Sequence, residues 1–373
     1  MKIVVAPDSF KESLTAKEVA ETIEEGIRRV FPQAEVIKIP LADGGEGTVE
    51  AMVEARGGKI VLQEVTSPLG ERIKGHFGIL DDGFTGVVEM AQASGLSLLP
   101  QSQRNPLLTT TYGTGELIKA ALDRGCKRII VGIGGSATVD GGAGMVQALG
   151  AKLLNRAGKQ IPFGGGSLGE IVRIDVSSFD SRVKNTKVLV ASDVDNPLCG
   201  PKGAARVYGP QKGATLEMVK ILEENLAHFA MMIKKYLNKE VEDIPGAGAA
   251  GGLGAGLIAF LGAELTPGIK LMIEASRLDE RIKGVDLVIS GEGRIDEQTI
   301  YGKTPVGVAE IAGKEKIPVI IMGGEIRGDV KALYERGVDA VVSCIDRTSS
   351  LDEAMKEARQ TLRHATERAM RLI

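Results

Sequence analysis

The sequence VDLVISGEGRID, residues 285–296, runs from a short apolar segment directly into a carboxylate, Glu292, that lies between two glycines. A similar order, an apolar run followed by glycines and acidic side chains, occurs in four other segments. Glycine lets backbone N–H groups approach a ligand closely, and a carboxylate can bind Mg²⁺ or accept a proton. The pattern therefore predicts strand ends that bind a ligand. The other segments are APDSFK (6–11), LADGGEGT (41–48), SATVDGGAG (136–144) and SDVDNPLCG (192–200).

Short β-branched runs alternate with amphipathic segments towards both ends of the chain, which is typical of a parallel sheet covered on both faces. Each end offers about three strands, which is near the minimum for an independent sheet. We therefore predict one discontinuous, doubly wound α/β domain from residues 1–66 with 284–373, and a large inserted mixed α/β domain, residues 67–283. The terminal strands are predicted at 3–6, 35–39, 59–65, 285–289, 317–322 and 339–344.

Two capping boxes predict helix starts, one at Thr15 with Glu18 and one at Ser350 with Glu353. The second is expected to begin a single final helix. Within the inserted domain, the same reasoning predicts strands at 85–90, 128–133 and 187–191 and helices at 115–122, 142–149 and 216–237.

Composition excludes several classes of function. The 373 residues include 43% hydrophobic and 25% charged residues, with a formal net charge of −3, as in an ordinary globular enzyme. No basic stripe with interleaved aromatics suggests nucleic-acid binding, and no apolar run is long enough to span a bilayer. Three separated cysteines favour a reducing cytoplasm. With only three histidines, the chain has few side chains suited to thiol, imidazole or zinc chemistry. Metal-assisted reaction of a phosphate group is the catalytic chemistry that these observations favour.

The strand ends carry the candidate ligand-binding side chains. The segment LADGGEGT contains two acidic residues among its glycines, Asp43 and Glu46, whereas a helix cap requires one. Arg294 beside carboxylates suits a phosphate with its metal, because guanidinium binds oxyanions bidentately; the structural alternative is an ion pair with Asp296. Asp193 can coordinate Mg²⁺ or accept a hydroxyl proton.

The glycine-rich segment after the strand at 128–133 offers Ser136 and Thr138 to a phosphate at the start of the next helix. Lys212, in the turn GPQKGA, is a further candidate phosphate contact. The alternatives are an ordinary glycine-rich turn and a solvent-facing lysine.

The segment GAGAAG, residues 246–251, matches the dinucleotide-binding pattern G-x-G-x-x-G. It follows EVEDIP rather than a strand, and no acidic ribose partner stands on a following strand about twenty residues on, as such a site requires. The segment therefore favours a tightly packed helix start. An NAD-dependent dehydrogenase of a small hydroxy acid remains the alternative that this motif would support.

At these residues the chain resembles the bacterial glycerate kinase type I family, which phosphorylates D-glycerate with ATP. The resemblance runs from end to end and departs at Val139, where family members often carry Asn. It implies two α/β domains, one flavodoxin-like and one inserted, with the active site in the cleft between them. The segments that carry it are APDSFKESLTA (6–16), ADGGEGT (42–48), GIGGSATVDGGAGMVQALG (132–150), NPL (196–198), GPQKGA (209–214), GAGAAGG (246–252), GEGRID (291–296) and GK (302–303).

The resemblance implies phosphoryl transfer from ATP·Mg²⁺ to a hydroxyl of D-glycerate, a step of organic acid metabolism, with 2-phosphoglycerate favoured over 3-phosphoglycerate. A cytoplasmic monomer or homodimer with small-molecule substrates is expected; a non-enzymatic sensor of glycerate or nucleotide is the other alternative. The phosphates or the glycerate carboxylate are expected to be held by Lys11, Lys212, Arg294 and Lys303, and substrate or phosphate to be contacted by Asp8, Ser9 and Ser136. Mg²⁺ is expected to be bound by Asp43, Glu46 or Glu292. The hydroxyl proton is expected to be accepted by Asp193, or else by Asp296.

Overall fold

A computed structural model describes residues 1–42, 44–296, 299 and 303–373. The strands in these residues are β1 (Lys2–Val5), β2 (Glu35–Lys38), β3 (Gly58–Thr66), β4 (Arg72–Leu80), β5 (Thr85–Glu89), β6 (Arg128–Gly132), β7 (Lys152–Leu154), β8 (Arg173–Asp175), β9 (Lys187–Ala191), β10 (Glu264–Thr266), β11 (Leu287–Ile295), β12 (Val319–Ile326) and β13 (Ala340–Ser343). The helices are α1 (Ala16–Val30), α2 (Thr48–Arg56), α3 (Ala91–Ser94), α4 (Tyr112–Asp123), α5 (Ala143–Ala148), α6 (Ala204–Tyr208), α7 (Leu216–Leu237), α8 (Ala249–Leu261), α9 (Gly268–Ser276), α10 (Leu278–Arg281), α11 (Thr304–Lys314), α12 (Lys331–Tyr334), α13 (Leu351–Lys356) and α14 (Ala358–Met370).

The chain forms two compact units. Unit 1 comprises the described parts of residues 1–43, 50–57 and 267–373, and unit 2 comprises residues 44–49 and 58–266. The α/β class with a parallel sheet and a second, mixed sheet confirms the predicted fold class. The predicted boundaries at 66 and 284 differ from this division, because residues 58–66 lie in unit 2 and residues 267–283 in unit 1.

Unit 1 is built on a five-stranded parallel sheet with the order β13-β12-β11-β1-β2. Numbered along the chain within the unit, this order is 2-1-3-4-5, which is the flavodoxin-like order. The strand order reverses between β1 and β11, which pair in parallel from Ile3↔Leu287 to Val5↔Ile289. Ligands of open α/β sheets bind at the carboxyl ends of the strands beside such a reversal. The segments APDSFK and GEGRID meet at this position.

The helices of unit 1 follow their predicted starts. The Thr15 side chain accepts a hydrogen bond from the Glu18 N–H and the Glu18 side chain accepts one in return, which confirms the first capping box. The second capping box, of Ser350 and Glu353, also forms. The predicted single final helix is instead divided into α13 and α14, with Glu357 between them.

Unit 2 contains a six-stranded mixed sheet with the order β10-β9-β6-β5-β4-β3. The strands β10, β9, β6 and β5 run parallel, and β4 and β3 extend the sheet as an antiparallel hairpin. The strand predicted for the first domain at 59–65 is β3, which pairs with β4 from Gly58↔Leu80 to Thr66↔Arg72. An antiparallel pair needs only the tight turn that follows Thr66, so the strand joins this sheet.

The strand β11 is longer than predicted. It continues through Ile295 and pairs with β12 at Glu292↔Gly323, so Glu292 lies on the strand and not after its end. The glycines permit this extension, because a Cβ on Gly324 would lie 2.5 Å from the Gly293 carbonyl oxygen. Glu292 is thereby held by the sheet itself.

No helix in the described part of the chain combines the length and apolar character that a membrane crossing requires.

Candidate active site

Asp8 follows β1 at the reversal point of the unit 1 sheet. Its backbone N–H donates to the Gly291 carbonyl at 2.8 Å, which fixes it beside β11. The side chain is 5% exposed. Oδ1 accepts from the Ser9 N–H at 2.6 Å and the Ser9 hydroxyl at 3.2 Å, and Oδ2 accepts from the Thr304 hydroxyl at 2.9 Å. Asp8 is thus a buried carboxylate with a fixed orientation.

Glu292 is the second buried acid of this cluster and is 7% exposed. Its Oε1 accepts a hydrogen bond from the Thr299 hydroxyl, and its Oε2 lies 3.6 Å from the Lys303 Nζ. Burial raises the pKa of Glu292 to about 7, against the opposing effects of Thr299 and Lys303, while Asp8 raises it further. The negative charge of Glu292 is therefore disfavoured in this site, and a bound cation would stabilise it.

The helix α11 begins at the same cluster. Lys303 is its N-cap residue, Thr304 its first residue, and a proline occupies the first turn. The positive end of the helix dipole favours an anion at such a start. Unit 1 therefore brings two buried acids, a lysine and a helix N-terminus to one place.

Three other predicted residues of unit 1 have different surroundings. Arg294 is exposed and pairs with Glu325 at 3.1 Å. The Asp296 N–H donates to the Thr299 hydroxyl at 3.1 Å, and its side chain is half-buried. Lys11 is exposed. None of these facts assigns a role, so their functions stay predictions.

Sequence reasoning missed the threonines of this cluster, Thr299 and Thr304, which are both fully buried. A signal for Thr304 was present, because it directly precedes Pro305, and proline is favoured in the first turn of a helix. A threonine at such a position is usually a helix cap, and only the tertiary contact shows that it bonds to Asp8.

Unit 2 has its own polar edge, at the carboxyl ends of β5, β6 and β9. The segment 44–49 lies against it: the Gly134 N–H donates to the Gly44 carbonyl at 3.3 Å. A Cβ on Gly44 would lie 2.7 Å from the Ala191 Cβ, so only glycine allows this approach. The exposed Glu46 accepts a hydrogen bond from the Ser97 hydroxyl at 2.9 Å.

Glu89, the last residue of β5, was missed by sequence reasoning. It is 1% exposed and accepts from the N–H groups of Val49 at 2.6 Å and Gly47 at 3.3 Å. A carboxylate is favourable at the start of a helix, here α2. Glu89 ends an ordinary β-branched strand, so no local pattern marks it.

Lys212 and Ser136 form a buried polar pair. Lys212 is 2% exposed, and its Nζ donates to the Ser136 hydroxyl at 2.9 Å and the Thr138 carbonyl at 2.7 Å. Burial lowers the pKa of Lys212 to about 7, although the nearby Asp140 opposes the shift. The Ser136 hydroxyl lies 3.2 Å from the Ala250 carbonyl.

Asp140 stabilises the glycine-rich segment from within. It is fully buried and accepts four hydrogen bonds, from the Thr111 N–H and hydroxyl and from the N–H groups of Gly142 and Gly144. Burial raises the pKa of Asp140, and these donors oppose the rise. The neighbouring Val139 is fully buried in the hydrophobic core, which accounts for an apolar side chain at this position.

Asp193 and Asp195 are exposed in the segment after β9. Asn196 is held structurally, because its amide donates to the Lys202 carbonyl at 2.8 Å and its oxygen accepts from the Tyr208 hydroxyl at 2.6 Å. Burial raises the pKa of Cys199 to about 12. This thiol is therefore a poor nucleophile.

The segment GAGAAG packs against the protein backbone. Ala250, Gly251 and Gly252 all have positive φ, at 54°, 69° and 87°. A Cβ on Gly251 would lie 1.9 Å from the Thr138 carbonyl oxygen. The residues before it, 238–245, contain no strand. The glycines thus serve close packing within unit 2, and the strand that a dinucleotide site requires is missing there.

The predicted metal ligands divide between the two units, with Glu292 in unit 1 and Glu46 in unit 2. Asp43 lies outside the described residues, as does Gly302. Within the described ranges, no group of three or more His, Cys, Asp or Glu side chains is arranged to hold a metal ion. A magnesium site built from one or two carboxylates and substrate phosphates does not need such a group.

Comparison with known proteins gives a consistent result. The family model described as the glycerate kinase family matches residues 3–373. A glycerate kinase from Bacillus subtilis (strain 168) is 55% identical over 96% of this chain and 94% of its own length. A glycerate 2-kinase from Escherichia coli (strain K12) is also 55% identical, with the same coverage.

Structural comparison agrees with the sequence comparison. A crystal structure from Salmonella typhimurium LT2, described as that of a glycerate kinase 2, has a TM-score of 0.90 and 50% sequence identity. The match covers 100% of this chain and 98% of that one. The chain therefore belongs to the glycerate kinase family and is an enzyme of the kinase class.

Proposed function

We propose that the protein phosphorylates D-glycerate with ATP and Mg²⁺ and releases 2-phosphoglycerate. Membership in the glycerate kinase family supports the acceptor, and the 55% identical Escherichia coli relative described as a glycerate 2-kinase supports the position. The observation that carries the ionic part of the proposal is the buried pair of Asp8 and Glu292 at the strand reversal of unit 1.

The donor set of this pair fits Mg²⁺. The ion prefers oxygen ligands and is bound through one or two carboxylates together with substrate phosphates. Asp8 and Glu292 would hold it, and when bound it would neutralise charge on the transferring phosphate. Burial is the main cause of the raised pKa of Glu292 and the nearby Asp8 carboxylate adds to it, so a bound cation would favour the charged form of Glu292.

The groups around this pair suit the phosphates of a nucleotide. The Lys303 Nζ lies 3.6 Å from the Glu292 carboxylate and Lys303 is the N-cap of α11, so its charge and the positive end of the helix dipole would act on the same anion. Lys11 is proposed as a further phosphate contact. Arg294 is proposed for the same role, for which it would exchange Glu325 for a phosphate oxygen.

The glycerate hydroxyl needs a proton acceptor. We assign this role to Asp193, an exposed carboxylate after β9 at the carboxyl edge of the unit 2 sheet, with Asp296 as the second candidate. Glu46 and Ser136 belong to the same edge of unit 2 and are proposed to contact substrate or phosphate. Ser9 is proposed to orient substrate beside Asp8.

The decisive experiment is ³¹P NMR of the products formed from ATP, MgCl₂ and D-glycerate. The proposal predicts ADP and a phosphomonoester whose proton coupling identifies the 2-position. A 3-phosphate product would refute the regiochemistry alone. ATP hydrolysis without a phosphorylated acid would refute the choice of acceptor, and NADH binding by fluorescence titration would favour the dehydrogenase instead.

The metal assignment has a test that does not depend on turnover. Mn²⁺ binding to the enzyme with ADP, followed by EPR, should weaken in Asp8→Asn and Glu292→Gln. Glu310→Gln is the matched control, because Glu310 is an exposed residue of α11. Unchanged Mn²⁺ affinity in both cluster variants would remove the pair as metal ligands.

A further inference from the structure

Lys212 connects three separate segments of unit 2. It lies in the short 3₁₀ turn Pro210–Lys212. Its Nζ donates to the Ser136 hydroxyl and to the Thr138 carbonyl, both in the glycine-rich segment that follows β6. The Ser136 hydroxyl in turn bonds to the Ala250 carbonyl at 3.2 Å. A continuous chain of hydrogen bonds therefore runs from the turn, through the segment after β6, to the start of α8.

The arrangement is too costly to be explained by stability alone. A lysine side chain that is 2% exposed has lost nearly all of its hydration. An apolar side chain of similar volume is often at least as stable at a buried ionic position. Asp140, the nearest opposite charge, is already satisfied by four hydrogen bonds of its own. A buried polar network that does not add stability can still select one conformation of the segments it joins.

The segments that it joins are under constraint. Ala250 has a φ of 54°, in the left-handed region that an alanine adopts only when its surroundings fix it. Its carbonyl is the acceptor of the Ser136 hydroxyl. The next residue, Gly251, leaves no room for a Cβ beside the Thr138 carbonyl, which is the second acceptor of Lys212. Lys212 thus bonds to the Ser136 hydroxyl and to the Thr138 carbonyl, the two groups at which the segment after β6 contacts the turn at Ala250 and Gly251.

We propose that Lys212 is a positioning residue that acts through Ser136 and Thr138, rather than a phosphate ligand. Its two hydrogen bonds hold the glycine-rich segment after β6 against the left-handed turn at Ala250–Gly252. That segment lies at the carboxyl edge of the sheet, where ligands of α/β proteins bind. This inference rests on the proposed function only for its kinetic consequence.

The test compares Lys212→Met, which keeps the length but removes the donors, with Lys202→Met, which changes an exposed lysine of a neighbouring turn. In Lys212→Met we expect kcat to fall by about 10- to 100-fold with the KM for ATP changed by less than about 3-fold, since misplacement by about 1 Å can have that effect on rate. Amide hydrogen exchange at residues 134–140 and 249–252 should rise in the ligand-free variant. Lys202→Met should match the parent protein in all three readouts.

Three results would overturn the proposal. A KM for ATP raised by about 10-fold or more with unchanged exchange would identify Lys212 as a direct phosphate ligand. A fall in kcat without a change in exchange would exclude action through the two segments. Parent-like behaviour in every readout would exclude any role.

A second variant covers the case in which Lys212→Met does not fold. Ser136→Ala removes the middle member of the chain, and exchange at residues 249–252 should rise while residues of unit 1 keep the exchange rates of the parent protein. Parent-like exchange in that variant would overturn the proposal. If the parent protein does not phosphorylate D-glycerate, the proposed function fails, and the exchange comparison still decides the positioning role.

Discussion

Replacement of Asp140 should reveal how strongly the glycine-rich segment of unit 2 depends on one buried carboxylate. Oδ2 accepts from the Thr111 N–H at 2.8 Å, the Thr111 hydroxyl at 2.9 Å and the Gly144 N–H at 3.2 Å. Among the residues that the structure describes, Oδ1 accepts from the Gly142 N–H alone, at 3.1 Å. The two oxygens are therefore unequal, and this inequality predicts different results for different substitutions.

Asp140→Asn can keep three of these hydrogen bonds if its oxygen replaces Oδ2. Its amide then faces the Gly142 N–H, and leaving one buried donor unsatisfied costs about 1–3 kcal/mol. Asp140→Leu leaves all four donors without an acceptor, so we expect a loss of about 4 kcal/mol or more in the free energy of unfolding. The parent protein should be the most stable of the three, the Asn variant should be less stable, and the Leu variant should be the least stable.

Urea denaturation followed by far-UV circular dichroism measures these differences in a chain that has no tryptophan. Asp243→Asn, at an exposed aspartate of the same unit, is the control and should stay within about 0.5 kcal/mol of the parent. Equal unfolding midpoints for Asp140→Asn and Asp140→Leu would refute the reasoning, since the hydrogen bonds of Oδ2 would then contribute nothing measurable.

Three further outcomes are expected. Asp193→Asn should lower kcat by about 10²- to 10⁴-fold through loss of a general base; normal turnover in steady-state kinetics would dismiss it from that role. Gly251→Ala should destabilise by at least about 2 kcal/mol, because its Cβ would meet the Thr138 carbonyl, whereas Gly262→Ala, left-handed but in open space, should lose about 1 kcal/mol in thermal or urea melts. Burial lowers the pKa of Lys212 to about 7 in the folded state, against about 10.4 for a lysine in an unfolded chain. The unfolded chain therefore binds the extra proton between these values, and the free energy of unfolding should rise with pH in that window, by up to about 1.4 kcal/mol per pH unit. Urea titrations of the parent and of Lys212→Met across this pH range test the sign, and parallel pH dependences would contradict it.

Local sequence signals predicted much of the secondary structure. The strand Lys187–Ala191 and the helix Leu216–Leu237 have the predicted bounds, and both capping boxes form. These features depend on side-chain periodicity and on contacts between residues three or four apart, which the sequence displays directly. The pattern of acids among glycines likewise identified Asp8 and Glu292 as candidates before any contact was known.

The assignment of strands to sheets needed the tertiary structure. The segment 59–65 reads as a strand in either domain, and only its pairing with β4 puts it in unit 2. The length of β11 was also underestimated, because glycines within a strand resemble its end until the partner β12 is seen.

The sequence by itself determined the class of fold, the family resemblance and the acids and glycines at the strand ends. Only the tertiary structure decided that Asp8 bonds to Thr304, 296 positions away, that Glu89 accepts from Val49, and that Lys212 is buried against Ser136. Local patterns arise from neighbours along the chain, whereas these contacts arise from the register of the strands and from the packing that excludes water around each polar group.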